Sequence, residues 1–106
     1  MDERDVERIL RRDYPEHVDE VRKAILGLSV IEKTRVVLAC LKLGSGQIEK
    51  LRYQIHEAPG YYRDILGHAE TPGYMKRWSR WERLSAEERQ SIEEEDRRQY
   101  EEWLRR

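Results

Sequence analysis

One stretch constrains this chain more than any other. VVLACLKL, residues 36 to 43, is apolar on almost every side and interrupted only by Lys42. Where 41% of 106 residues are charged, a segment with no wet face belongs at the centre of whatever folds around it. Its longest unbroken apolar run, Val36 to Leu41, falls far short of the ~20 residues that a membrane-spanning helix needs. The stretch is therefore expected to be a core helix, and no membrane partner is expected.

The neighbouring segments carry the helical period, and sustained strand-type alternation occurs nowhere. The expected fold is all-α, a compact bundle of about five short helices plus a long charged C-terminal helix. Residues 1–83 form the bundle in this reading, and residues 84–106 form the C-terminal charged amphipathic helix, packed on the bundle or projecting from it.

Local signals set the boundaries. Asp2 is expected to cap a first helix carrying Val6, Ile9 and Leu10, which ends near Tyr14 because Pro15 disfavours helical backbone before it. Pro15 then suits the first turn of a second helix, with Val18, Val21, Ile25 and Leu28 on one face. Ser29 and Glu32 have capping-box spacing, so the central helix should begin there. Gly44 is placed at its left-handed C-terminal cap. A fourth helix directs Ile48, Leu51 and Ile55 inward, and Pro59-Gly60 should break it. A fifth helix then buries Tyr62, Ile65, Leu66 and Ala69, and Pro72-Gly73 ends it. Ser85 and Glu88 form a second capping box, opening the C-terminal helix. Ile92, Tyr100, Trp103 and Leu104 are its only large apolar residues, and its EEEDRR run is read as a solvated face.

From residues 36 to 70 the pattern of Leu41 to Leu43, Gly46, Ile48, Lys50 and Leu51, followed by Tyr62 to Leu66, Ala69 and Glu70, resembles a family of small uncharacterised bacterial proteins. The resemblance implies a bacterial, cytoplasmic helical domain. It implies no activity and no cofactor.

Net charge is -1, from 21 basic and 22 acidic residues, so the overall balance points to no polyanionic partner. The charge is unevenly spread: Lys and Arg number four against eight acids in residues 1–20, twelve against six in 21–83, and five against eight in 84–106. The lone Cys40 cannot form an internal disulfide and sits in the apolar run, where a buried, unreactive thiol is expected. With no apolar signal segment after Met1, the expected location is the cytoplasm.

Two candidate sites emerge. The first is YMKRWSRWER, residues 74–83, in which basic and aromatic residues alternate. Trp, Tyr and Arg are common interface anchors. Tyr74, Lys76, Arg77, Trp78, Arg80, Trp81, Tyr100 and Trp103 are accordingly the expected partner-binding residues. The partner is a protein or a second copy of the chain. The alternative is nucleic acid, which cations beside aromatic faces also suit, although the acidic ends would repel a phosphate backbone.

The second is the polar face of Tyr61, Asp64 and His68, at helical spacing, where His68 could act as a base oriented by Asp64 or join His56 or Glu57 around a metal. No nucleophile or recognised metal-ligand motif accompanies it, so neither catalysis nor a metal is assigned. His17 is read as a surface residue. Arg63 and Asp64 are read alternatively as a clamp between helices.

Overall fold

The structure, a computed structural model, describes residues 2 to 106. It is all-α: six helices and one 3-10 segment, with no strand among the described residues. The helices are α1 (Glu3–Asp13), α2 (Val18–Gly27), α3 (Lys33–Gly44), α4 (Ile48–Glu70), α5 (Pro72–Arg77) and α6 (Ala86–Arg105); the 3-10 segment, Trp78–Arg83, lies between α5 and α6.

As the apolar run requires, α3 is the central element, and Val36 through Leu41 are all buried. Around it pack Ile9, Leu10 and Tyr14 of α1 and its C-terminal cap, Val21 of α2, and Leu51, Ala58, Ile65, Leu66 and Ala69 of α4. Full burial of each Leu or Ile contributes about 2 kcal/mol, which is why a chain this polar can fold around one short segment.

Several boundaries follow their local chemistry. Asp2 caps α1 and Asp5 reciprocates; Ser85 and Glu88 do the same for α6. Tyr14 ends α1, and its buried hydroxyl donates to the Leu41 carbonyl at 2.9 Å while accepting from the Gly46 amide at 3.2 Å. That hydroxyl ties α1 to the end of α3. Pro15, expected in the first turn of α2, lies instead in the turn ahead of that helix, which begins only at Val18 with His17 at its N-cap.

Four further expectations about local structure are corrected. Ser29 does not cap α3. The chain turns through a left-handed Glu32 (φ 48°), which makes no side-chain cap bond and pairs instead with Arg35, so the helix starts at Lys33. Gly44 is not the left-handed cap either: Ser45 and Gly46 take the positive φ values, while Gly44 is buried inside the last turn against Tyr14 and Leu51.

Pro59-Gly60 does not end α4. The helix bends, with non-helical backbone at Tyr61 (φ -129°, ψ 26°), and continues to Glu70. Pro59 removes one amide donor and crowds the Ile55 carbonyl, which explains the bend. Ala58 on one side and Ile65, Leu66 and Ala69 on the other are all buried in the same core, which holds the two halves together. The fourth and fifth expected helices are thus one elbowed helix.

Finally, EEEDRR is not uniformly solvated, because Asp96 is buried to 4% exposure.

Arginines lock the layers. Arg22 of α2 pairs with Glu7 of α1, Arg52 of α4 with Glu20 of α2, and Arg35 of α3 grips both carboxylate oxygens of Glu70 at the end of α4. Arg8 and Arg12 of α1 donate to the Leu104 and Trp103 carbonyls at 2.6 and 2.9 Å. The last turn of α6 therefore receives its missing donors from the first helix.

Candidate functional site

The aromatic-basic segment is built on a joint between helices. Thr71 precedes α5 yet does not cap it, because its hydroxyl donates back to the Gly67 carbonyl at 3.0 Å. The cap comes from α6: Asp96 accepts from the Gly73 amide at 2.8 Å on one carboxylate oxygen and from the Tyr74 amide at 3.1 Å on the other. On the opposite side of the joint, the Lys42 ammonium donates to the Ala69 carbonyl near the end of α4 and lies 5.5 Å from the Tyr100 ring. An anion at a helix start and a cation at a helix end both suit the peptide dipoles.

From that joint the segment divides into a supporting part and a presented part. Arg77 donates to the Gly73 carbonyl at 2.9 Å, Trp81 meets Tyr74 edge-to-face at 4.9 Å, and Arg89 of α6 donates to the Trp81 carbonyl at 2.9 Å. Arg77 and Trp81 are only partly exposed. By contrast, Lys76, Trp78, Arg80 and Arg83 are exposed, Trp78 at 66%. Among the described residues, none of these four side chains has a hydrogen bond, ion pair or ring contact, while Tyr74 stands at the margin at 37% exposure.

Tyr100 and Trp103 do not join this surface, correcting the wider site expected from sequence. They are buried to 7% and 8% exposure in the bundle core, with Arg12 5.5 Å from the Trp103 ring centre. Burial also holds the Tyr100 hydroxyl well above the usual tyrosine range. These aromatics clasp α6 onto the bundle, so the helix is packed and does not project.

The second candidate lies at the elbow of α4. Tyr61, Asp64 and His68 are brought together, lining an open groove of about 640 Å³ with Leu43, Tyr53, Gln54, Glu57 and Ile65. His56 lies outside that lining, as does Arg63, which is exposed and donates to the Tyr62 hydroxyl. Arg63 and Asp64 form no clamp; the Arg35–Glu70 pair takes that role. Among the described residues, no group of three or more His, Cys, Asp or Glu is placed to hold a metal ion. His17 is partly exposed just ahead of α2.

Comparison with protein-family models, curated proteins and solved structures finds no match. The functional reading therefore rests on the chain's own geometry.

Asp96, Lys42 and Glu70 were missed as the residues that position the segment. A signal for Asp96 was present: it falls on the stripe of Ile92, Tyr100 and Trp103 at i+4, i+8 and i+11, where a solvated acid has no place. Lys42, the one charge in the central run, was a comparable signal. Glu70 carried none, since its partner Arg35 is 35 residues away.

Proposed function

We propose that the chain is a small cytoplasmic interaction module that docks a protein partner through the corner formed by Tyr74 to Arg83, with Trp78 as its anchor. The observation that carries this reading is the exposure of Trp78 at 66%, flanked by the exposed Lys76 and Arg80, in a chain whose other two Trp side chains are turned toward its own body. A large aromatic ring held in water on a braced turn offers apolar area at little ordering cost, because the turn is already fixed by Asp96 and Arg89. The surrounding cations favour an acidic rim on the partner.

A second reading is favoured by one feature of the same corner: Lys76, Arg80 and Arg83 have no acidic partner among the described residues, which suits a phosphate backbone. Both readings are tested by pull-down of the tagged full-length protein from its host's lysate, with and without nuclease, beside Trp78→Ala. Nuclease-resistant partners lost in Trp78→Ala would support docking to protein. Nuclease-sensitive recovery with a steep salt dependence would move the reading to nucleic acid. Identical recovery with Trp78→Ala would refute the corner as the contact surface.

A further inference from the structure

The elbow of α4 has properties that the aromatic-basic corner does not share. Tyr53, Glu57, Tyr61, Asp64 and His68 follow one another at three- or four-residue steps, so they lie along one side of the helix and line one groove. Tyr53 and Tyr61 are 61% and 59% exposed, leaving both rings available. Elsewhere in the fold several carboxylates, Glu7, Glu20 and Glu70 among them, are drawn into pairs with arginine. Glu57 and Asp64 are not, and neither they nor Tyr53, Gln54, Tyr61 and His68 has a side-chain partner among the described residues. No Lys or Arg lines the groove.

We propose that this groove binds an organic cation, an alkylammonium or guanidinium group, against Tyr53 and Tyr61 with Glu57 and Asp64 as counter-charges. A volume of about 640 Å³ is of the size that small ligands occupy. Tyrosine faces attract cations, and guanidinium and ammonium groups supply the donors that two unpartnered carboxylates lack. An anion would meet two carboxylates there and no Lys or Arg in the lining. A purely apolar ligand would strip water from both carboxylates without replacing it.

The test is an amide NMR titration of the full chain with spermidine, with a blocked tetrapeptide alternating Gly and Arg, and with a neutral diol of matching length. Saturable shifts confined to residues 53–68 are expected for both cations and none for the diol. Glu57→Gln with Asp64→Asn should weaken binding about fivefold to tenfold, as expected for exposed charge pairs. Tyr61→Ala should weaken it about threefold. Because the substituted side chains lie in a partly or fully exposed groove, circular dichroism should show all variants folded. Tighter binding of spermidine would identify a free polyamine as the ligand type, and tighter binding of the peptide an arginine of another protein; either supports the site. Failure to saturate, or shifts spread along the acid-rich α6 that persist in the Glu57→Gln, Asp64→Asn variant, would overturn it.

Discussion

Removal of the Asp96 carboxylate tests the joint on which the presented corner stands. Asp96 supplies one oxygen to each of two amides at the start of α5, at 2.8 and 3.1 Å, and is itself 4% exposed. Hydrogen bonds to a charged group contribute about 1.5–3 kcal/mol each, and partly buried amides left without acceptors add to the loss. Asp96→Ala should therefore destabilise the fold by about 3 kcal/mol, or lower the melting temperature by about 12–24 °C for a domain of this size. Asp96→Asn keeps the shape, but its amide nitrogen must face one of the two N–H donors. It should cost about 2 kcal/mol, through one lost bond and the lost charge near Lys42. Urea unfolding followed by circular dichroism measures both, beside Glu94→Ala as an exposed acid of the same helix, expected within about 0.5 kcal/mol of the parent. Gly73→Ala attacks the contact from the other side, since a Cβ there would lie 2.7 Å from Asp96 Oδ1. Equal stability of Asp96→Ala and Glu94→Ala would refute the reasoning.

Gly44→Ala discriminates propensity from packing: Ala is favoured over Gly within a helix by about 1 kcal/mol. Here, however, its Cβ would fall 2.2 Å from the Tyr14 hydroxyl and 3.1 Å from Leu51 Cβ, so a net loss of about 1–3 kcal/mol is expected by urea titration. A more stable variant would show that the Tyr14 tie is dispensable. At alkaline pH, burial pushes both Cys40 and Tyr14 up to about 12, from 9.0 and 10.0. The unfolded chain releases these protons first, so the stability they give is complete below pH 9 and falls as pH rises toward 12, with a slope approaching about 1.4 kcal/mol per pH unit for each group. Lys42, held below its usual 10.5 by burial, acts in the opposite sense over the lower part of that window. Unfolding measured from pH 8 to 11 should show the decline, and Cys40→Ala should delay its onset; an unchanged onset would contradict the assignment to Cys40.

The parts of the fold legible in the sequence are those decided within one helical turn or by a dense apolar run. Asp2 with Asp5 and Ser85 with Glu88 cap their helices with neighbours three residues away, and Val36 to Leu41 had nowhere to go but the core. Ser29–Glu32 has the same spacing as the cap of α6 and fails, because Leu28 is buried in an extended conformation and the chain re-enters the helix only after Glu32. At Pro59 a local break was outweighed by burial on both sides of it. The candidate segment is legible in the sequence only as composition, an interleaving of aromatic and basic residues; which aromatic faces water depends on α6 folding back, and that depends on partners about 90 residues away.

The grip of Arg8 and Arg12 on the carbonyls of Leu104 and Trp103 joins residues 96 and 91 positions apart. Closing so long a span adds little chain entropy beyond that of a moderate loop, because the penalty grows only with the logarithm of its length. Its effect is on cooperativity: when either terminal helix frays, the other loses the groups that finish it. Amide exchange in the first and last helices should therefore report one shared opening event rather than two independent ones, making the two ends a single folding unit.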